Sequence, residues 1–563
     1  MVQPGSPGTG AAPGGRFVSV LLFIGAGVLV IAGGLVYFWP GRPTPATQPG
    51  GPVSTPLEEP LAMGERLYRS YCTQCHGEKG GSDGPAAKFL QPKPRNFGEG
   101  KFRLVSAVNR VPSDEDLMLV LERGMPGSAM FPFAHLPEPE RRALVLYVRH
   151  LTRTALEERL RQEAKKAGDD IDAAEVAEII ARDTKPGDAL KPPADWSDPM
   201  PASVARGHES YVKLCVPCHG ATGKGDGVQD QRDDNGLPTR PRDFTRGIFK
   251  SGRDPRRLFT RIRLGLPGSP MPALGEGSSS DSEIIDLVHY VLSLSDPTLQ
   301  ARAEHKRTLL TARRVEGTLA DSIADKEWAA AKAVPIAVSP LWWRDYEEPD
   351  LTVAALHDGQ TLAVRLTWRD RTRNESSVRP QDFEDMAAVQ LFKGSPEPFL
   401  GMGAADKPVD VWLWNPSIQA KPSDFADVDT AYPNMYVDFY PFEKPGNGPR
   451  VHPPENQPPD FVTARKAGNL RSDPARGFTG SSLQAGGVGS STMRPRLSQL
   501  VRARGGYQDT EGLWTVVFRR PLTVPAEGGS RSRRGTGCRS PSPSGTVPPA
   551  TVTDKSWFRS GMI

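Results

Sequence analysis

One five-residue pattern occurs twice in this chain of 563 residues and limits its fold more than any other feature. The segment Cys72–His76 (CTQCH) is repeated as Cys215–His219 (CVPCH), with 143 positions between the two histidines. On a helical turn, two cysteines three residues apart face the same side, and the following histidine lies beside them. This C-x-x-C-H pattern is the attachment signal for c-type haem, in which the thiols bind the porphyrin edge and the histidine ligates the iron.

Paired cysteines have two other common uses, a structural zinc site and a thioredoxin-like redox pair. A zinc site needs four ligands close together, and a redox pair needs no histidine after its second cysteine. Four of the five cysteines belong to the two motifs, and we predict that they hold two covalent haem c groups: Cys72, Cys75, Cys215 and Cys218. His76 and His219 are then the proximal iron ligands.

The repeat extends well beyond these motifs. Each motif is preceded by a Gly-x-x-x-Tyr segment and followed by a glycine-rich loop that closes with Asp-Gly. Each copy continues through a Pro-Arg-Asn/Asp-Phe segment, a G-x-P-G-S-x-M loop and an apolar helix containing Leu-Val-x-Tyr-Val. Self-similarity on this scale predicts two tandem copies of one domain.

The two G-x-P-G-S-x-M loops end in methionines that are candidate iron ligands. Met130 lies 54 residues after His76, and Met271 lies 52 residues after His219. A methionine opposite a histidine is one haem ligand set of cytochromes c. A single loop methionine usually fills a gap in the core, but two at matched positions predict the sixth ligands of both irons. Other candidates lack such counterparts, namely Met118, Met125, His135, His150, His208 and His289.

On these motifs, residues 60–155 and 200–296 resemble class I cytochrome c domains. The resemblance implies two small all-α domains, each wrapped around one haem. Residues 156–199 between them are predicted to form a charged helical linker with a break at Gly168–Asp170.

The N-terminal region carries an uncharged stretch of 22 residues, 17–38, with Tyr37 and Trp39 at its end. Such a stretch is long enough to span a bilayer as one helix. A cleaved signal peptide is the alternative, but its apolar core is typically shorter and ends in small residues. We expect a cytoplasmic N-terminus at 1–16, a transmembrane anchor at 17–39 and a Pro/Gly-rich tether at 40–59. The resemblance to cytochromes c implies a body in the periplasm, attached to the bacterial cytoplasmic membrane.

Beyond residue 300 the sequence changes to short apolar segments separated by Pro and Gly. The segments 351–356 and 362–368 flank Asp358-Gly359 and predict a β-hairpin. Further strands are predicted at 386–392, 409–414, 434–440 and 513–518. Many short strands of this kind favour a mostly antiparallel β-sandwich, which we place at residues 320–527.

This region also resembles, more loosely, the haem-binding domain of the ethylbenzene dehydrogenase γ-subunit family. The segments that carry the resemblance are DGQTLAVRLTWRD, FEDMAAVQLF, PFLGMGAADKPVDVWLWN and GLWTVVFRRPL, in that order. It implies a non-covalent haem b between a methionine and a lysine, and electron relay for a molybdenum enzyme. Met402 is the matching methionine; the alternative is a loop methionine in a sandwich without haem. Four lysines suit the second position by type alone: Lys407, Lys421, Lys444 and Lys466.

Residues 528–563 form a tail rich in Ser, Arg, Gly and Pro. We expect either a disordered end or a slip of the reading frame near residue 529, and we favour the slip because the change in composition is abrupt.

The sequence as a whole favours an electron carrier. The net charge of +4 and the lack of a polybasic patch argue against nucleic-acid binding. We expect a membrane-anchored periplasmic multihaem cytochrome that carries electrons to or from a respiratory dehydrogenase or reductase complex, with redox proteins as partners and no catalytic residue of its own. Two alternatives remain: a dihaem peroxidase-type enzyme, which needs an open iron position, and a ligand-binding β-domain with accessory cytochromes.

Overall fold

The structure is a computed structural model. It describes residues 59–303, 308–341, 351–420 and 477–523, apart from 393–396 and a few single or paired positions within these ranges. Three short strands and two single residues are described outside them.

The first helical unit is built on two helices that cross in close contact. Its elements are α1 Pro60–Tyr71, α2 Thr73–His76, α3 Asp114–Arg123 and α4 Glu138–Ala167, with 3₁₀ turns at Ala87–Phe89 and Phe97–Glu99. Gly64 of α1 lies directly against α4, where a Cβ atom would overlap the carbonyl oxygen of Ala143. A side chain at position 64 would therefore force these two helices apart.

The second helical unit repeats this arrangement. After α5 Ala173–Thr184, it comprises α6 Pro201–Leu214, α7 Val216–His219, α8 Pro255–Leu264 and α9 Asp281–Ser293. Gly207 of α6 takes the place of Gly64, and a Cβ atom there would overlap the carbonyl oxygen of Asp286 in α9. The tandem helical units predicted from the repeat are thus present, with the same helix crossing in both.

The helix α4 continues past the predicted domain end at residue 155. Leu156 is buried, so the second half of α4 begins as part of the first unit. The helix ends at Gly168, whose φ of 78° is the left-handed conformation typical of a helix end, as the predicted break requires. Among the described residues, no helix combines the length and the apolar character needed to cross a membrane.

The C-terminal region is mostly β-structure. A short helix, α10 Pro297–Ala303, precedes it. Its strands are β3 Thr308–Thr311, β4 Arg313–Arg314, β5 Val334–Ile336, β6 Leu351–His357, β7 Thr361–Arg369, β8 Met386–Leu391, β9 Val409–Trp414, β10 Ser481–Ala485, β11 Thr492–Met493, β12 Arg502–Gln508 and β13 Leu513–Pro521, with α11 Pro416–Ala420 after β9.

Two sheets share one hydrophobic core. One sheet has the order β12-β13-β7-β6-β4, with β5 also paired to β6, and the other contains β8-β9-β10-β11. Three fully buried tryptophans, Trp368, Trp414 and Trp514, come from both sheets and belong to a single apolar cluster. The predicted hairpin is confirmed as the antiparallel pair β6–β7, and the strands predicted at 386–392, 409–414 and 513–518 are present. The strand predicted at 434–440 lies outside the described residues.

Six residues of the predicted membrane anchor have extended backbone. They are β1 Ser19–Leu22, which pairs with β8 in parallel, and β2 Val30–Ile31, which pairs with the C-terminal strand β14 Ser556–Ser560. Short apolar runs rich in Val, Ile and Leu fit strands as well as helices, so the sequence pattern does not separate the two. The rest of 1–58 lies outside the described residues, and the anchor at 17–39 remains a prediction.

Candidate haem sites

Both C-x-x-C-H motifs fold into the same single helical turn at the end of a long helix. In the first, the amides of Cys75 and His76 donate to the carbonyl oxygen of Cys72 at 3.1 and 2.8 Å. In the second, Cys218 and His219 make the corresponding hydrogen bonds to Cys215 at 3.2 and 2.8 Å. The cysteines form no disulfide, so all four thiols are available for thioether bonds.

Each motif histidine is held in one orientation by the segment that follows the glycine-rich loop. His76 Nδ1 lies 2.9 Å from the carbonyl oxygen of Arg95, and the ring stacks on Phe97 with centroids 4.6 Å apart. A carbonyl can only accept, so Nδ1 donates and the lone pair of Nε2 is left for a metal. Desolvation lowers the pKa of His76 to about 4, which keeps the imidazole neutral, as ligation requires.

The second unit positions His219 in the same way. Its Nδ1 lies 3.4 Å from the carbonyl oxygen of Arg242, and the ring stacks on Phe244 with centroids 4.4 Å apart. Desolvation again lowers the pKa of the histidine to about 4. The Pro-Arg-Asn/Asp-Phe segment therefore has the same role in both units, which is to orient the proximal histidine.

The methionine loops also have matching geometry. The amide of Met125 donates to the carbonyl oxygen of Met130 at 2.7 Å, and Leu266 donates to Met271 at 3.2 Å. Each loop turns at a glycine with positive φ, which is 80° at Gly127 in the first unit. These shared hydrogen bonds hold the backbone of the two methionines in the same way, so the two predicted ligands occupy equivalent positions in their loops.

The first unit encloses a cleft into which the predicted residues converge. Cys72, Cys75, His76 and Met130 all line it, together with apolar side chains such as Leu117 and Phe131. The cleft has a volume of about 1210 Å³, which includes space open to solvent. Met125 lines the same cleft, although the equivalent residue in the second copy of the repeat is a leucine and the repeat therefore does not support Met125 as a ligand.

The lining has the chemistry that a covalent haem needs. The cleft offers two thiols, an oriented neutral imidazole and a thioether within apolar walls. Lys93, Arg95 and Arg103 are its cationic lining residues and suit the carboxylates of haem propionates. In the described part of the chain, no group of three or more His, Cys, Asp or Glu side chains is arranged so that it could hold a metal ion, so the donor set of a zinc site is not found there.

Met402 lies elsewhere, in the turn that precedes β9. Its φ of 76° is unusual for a residue with a side chain, and its amide donates to Gln390 Oε1 at 3.0 Å. Its side chain packs against a small apolar cluster of the β-region that includes Val411. Of the four candidate lysines only Lys407 is described, in the same turn as Met402. The other three lie outside the described residues.

Two family models match separate parts of the chain. Residues 59–148 and 202–291 each match the family model described as "Cytochrome C oxidase, cbb3-type, subunit III". Residues 325–533 match the model described as "Ethylbenzene dehydrogenase". The chain carries two cytochrome c domains and one ethylbenzene dehydrogenase domain. Cytochrome c domains of this type bind haem c covalently, as the two motifs predict.

Individual relatives match parts of the chain. Dimethylsulfide dehydrogenase subunit gamma of Rhodovulum sulfidophilum is 33% identical over 91 residues, which are 16% of this chain and 34% of the relative. "Putative respiratory nitrate reductase heme subunit ORF7" of Haloferax mediterranei is 33% identical over 88 residues, 15% of this chain and 32% of the relative. The chain thus spans about a third of the length of these curated relatives. Among solved structures, the reducing HAO-like protein complex of Kuenenia stuttgartiensis matches at 32% identity with a TM-score of 0.34, covering 42% of this chain and 96% of that chain.

The ethylbenzene dehydrogenase domain supplies part of the first haem cleft, which the sequence did not predict. Phe399 lines the cleft and packs in the core of the first cytochrome c domain. Beside it, Tyr71 Oη donates to the carbonyl oxygen of Glu397 at 2.7 Å, and Val488 donates its amide to Gln74 Oε1 at 3.2 Å. These two hydrogen bonds join residues more than 300 positions apart, and no local pattern reveals them.

Proposed function

We propose that this chain is a membrane-anchored periplasmic cytochrome with two His/Met-ligated haems c, which carries electrons to or from a respiratory dehydrogenase or reductase complex. One observation supports the proposal above all others. A single cleft gathers both cysteines of a haem motif, its oriented histidine and the methionine that the repeat singles out. The matching loops and hydrogen bonds of the second unit support a second site of the same kind.

In each cytochrome c domain, side chains of this protein would hold one haem in a fixed position. When bound, the haem irons supply one-electron chemistry. His76 and Met130 would ligate one iron, and His219 and Met271 the other. The carbonyl oxygen of Arg95 fixes the His76 ring, so the ligand needs no reorientation between oxidation states. With a histidine and a methionine side chain holding each iron, the sites would favour outer-sphere electron transfer over binding of a substrate such as peroxide.

The contacts between domains suggest an order of transfer. The first cytochrome c domain touches the ethylbenzene dehydrogenase domain through Gln74 and Val488. It touches the second cytochrome c domain through Lys101 and Asp234, whose charged atoms are 2.8 Å apart. The first domain therefore lies in contact with both others, and we propose that it relays electrons between them.

The ethylbenzene dehydrogenase domain would contribute a third, non-covalent haem b with Met402 as one axial ligand. Its support is the family match over residues 325–533 and the position of Met402 close to a contact with the first cytochrome c domain. The amide of Gly487 donates to the carbonyl oxygen of Met402 at 2.9 Å, and the next residue, Val488, binds Gln74 of the first haem motif. A haem held by Met402 would thus be linked to the first haem c site through two hydrogen bonds.

The partner would be the catalytic subunit of a dehydrogenase or reductase, including a molybdenum enzyme. The two curated relatives are named as subunits of a dimethylsulfide dehydrogenase and a respiratory nitrate reductase. The uncharged stretch at 17–39 would anchor the protein in the bacterial cytoplasmic membrane, with the haem domains in the periplasm.

The ligand assignments are tested by the near-infrared band that methionine-ligated ferric haem c shows. We expect Met130→Ala and Met271→Ala each to remove about half of the haem c contribution to this band, and the double variant to leave only what a haem b held by Met402 would add. Met125→Ala is the matched control, because Met125 lines the same cleft as Met130 and should leave the band intact. Retention of the full band in both single variants would refute the assignments. Turnover of peroxide by the unmodified protein would instead favour the peroxidase alternative.

A further inference from the structure

The two cytochrome c domains meet through a reciprocal pair of contacts. A Cβ atom on Gly268, in the methionine loop of the second domain, would lie 2.6 Å from Arg95 Nη1 of the first. A Cβ atom on Gly127, in the methionine loop of the first domain, would overlap Arg242 Nη1 of the second. Arg95 and Arg242 are equivalent in the repeat, as are Gly127 and Gly268. The interface therefore has the self-complementary form of a two-fold dimer, built within one chain.

Each of these arginines serves both domains. The carbonyl oxygen of Arg95 orients His76 of its own domain, while its guanidinium covers the turn that leads to Met271 in the other. The carbonyl oxygen of Arg242 likewise orients His219 of the second domain, and its guanidinium covers the turn that leads to Met130 in the first. The glycines permit this because their positive φ, 80° and 71°, forms the turn and their missing side chains make room for the guanidinium groups.

Two more cations lie at this junction. Lys250 of the second domain donates to the carbonyl oxygen of Pro126 in the first at 2.9 Å, and its Nζ lies 3.9 Å from where a Cβ of Gly127 would be. Arg103 lines the first haem cleft together with Arg95. Desolvation lowers the pKa of Lys250 well below its ordinary value, and repulsion by Arg242 and Arg103 adds to the effect. Each of the four cations thus has a like-charged neighbour in a desolvated place.

Of the carboxylates nearby, one pairs with an arginine of the cluster and another is engaged with a lysine outside it. Glu99 Oε2 is 4.0 Å from Arg95 Nη1, and Asp234 binds the exposed Lys101 at 2.8 Å. Buried cations are stable only when anions pair with them. Haem propionates are carboxylates, and the first haem cleft opens onto this cluster through Arg95 and Arg103.

We propose that Arg95, Arg103, Arg242 and Lys250 form one anion site shared by the two cytochrome c domains, which holds propionates of both haems. This rests on the proposed function, because it requires a haem in each domain. Each haem would then be held partly by residues of the other domain, and the charge around one haem would influence the other. The two redox centres would be electrostatically coupled rather than independent.

The test is a potentiometric titration of the two haems in Arg95→Gln and Arg242→Gln variants of the full chain. The ferric state carries one more positive charge than the ferrous state. Removing a nearby cation therefore stabilises the ferric state relative to the ferrous state, and the reduction potential falls. For a shared site, each variant shifts the ferric–ferrous equilibrium of both haems three- to tenfold, where tenfold corresponds to 59 mV. Lys79→Gln is the control, because Lys79 follows the first haem motif closely but is exposed, and screening should leave both potentials unchanged.

The two haems are distinguished with Met130→His and Met271→His, each of which should lower the potential of its own haem. Pyridine haemochrome analysis first establishes that every variant retains two covalent haems. A parent protein without them would refute the proposed function, not only the shared site. If Arg95→Gln loses haem, Arg242→Gln and Lys250→Met make the same test from the other domain. Two intact haems of which only the one in the mutated domain shifts would overturn the proposal.

Discussion

Phe399 of the ethylbenzene dehydrogenase domain packs against Phe131 of the first cytochrome c domain, with ring centroids 5.6 Å apart. Phe131 directly follows the predicted iron ligand Met130. Phe399 is 3% exposed, so it is part of the first domain's core although it lies more than 260 residues later in the chain. The first haem cleft is therefore complete only when the C-terminal domain is docked.

The substitution Phe399→Ala should destabilise the first cytochrome c domain. Losing a buried aromatic ring and leaving a cavity costs about 3–5 kcal/mol of the free energy of unfolding. Urea unfolding followed by haem absorbance measures the loss. Phe89→Ala is the control, because Phe89 is 54% exposed and its removal should change stability by less than about 0.5 kcal/mol. Equal effects of the two substitutions would show that the C-terminal domain does not complete this core.

The helix crossings predict that two glycine-to-alanine substitutions lower stability, which is the opposite of their usual effect in a helix. Replacing glycine by alanine inside a helix normally stabilises it by about 1 kcal/mol. At Gly64 and Gly207 the added Cβ would overlap a backbone carbonyl of the crossing helix, so we expect Gly64→Ala and Gly207→Ala to destabilise their domains by about 1–3 kcal/mol. Thermal unfolding compares them with Arg66→Ala on the exposed side of α1. Stabilisation by either glycine substitution would contradict the close crossing.

The equivalence of the two predicted methionine ligands could be recognised from the sequence, because the chain contains two copies of one domain. Met130 and Met271 stand out because the repeat places them at equivalent positions, and their loops have the same hydrogen bonds. Phe399 could not be predicted in this way, since its contact is formed by docking of separate domains. The strand β12 was also missed. Its two central glycines break the alternation expected of a strand, yet a Cβ on Gly505 would lie 2.6 Å from Trp414 Cε2, so packing requires glycine there.

Two buried tyrosines should contribute equally to the two cytochrome c domains. Tyr68 Oη donates to the carbonyl oxygen of Gly77, and Tyr211 Oη donates to that of Gly220, both at 2.8 Å. Each hydrogen bond ties α1 or α6 to the residue after the motif histidine. We expect Tyr68→Phe and Tyr211→Phe each to cost about 0.5–1.5 kcal/mol, because the buried carbonyl loses its shorter hydrogen bond and keeps only the one from Gly80 or Gly223 at 3.3 Å. Denaturant unfolding of each variant measures this, and a negligible cost in both would show that water replaces the hydroxyl.

The stability of the ethylbenzene dehydrogenase domain should depend on pH through Asp385. This carboxylate accepts hydrogen bonds from Trp514 Nε1 at 3.0 Å and from the amide of Asn374 at 2.8 Å, yet burial raises its pKa from 3.8 to about 7. The folded state therefore binds a proton more tightly than the unfolded state. Stability from this group is full below pH 3.8 and is lost as the pH rises towards 7.

Tryptophan fluorescence during urea unfolding at pH 5 and pH 7.5 measures this dependence. Asp385→Asn keeps the shape of the side chain and removes the ionisation, so the difference in stability between the two pH values should shrink. Asp382→Asn is the control, because that exposed carboxylate pairs with Arg379 and its pKa is lowered rather than raised. An unchanged pH difference in Asp385→Asn would assign the effect to other groups.

The central claim is that both cytochrome c domains carry covalent haem on their own motifs. Acid-acetone extraction followed by a pyridine haemochrome assay of the residue counts covalent haem c for each polypeptide, and the extract reports any haem b. We predict two haems c per chain in the parent protein, and one in each of the variants Cys72→Ala/Cys75→Ala and Cys215→Ala/Cys218→Ala. Fewer than two covalent haems in the fully matured parent protein would contradict the account.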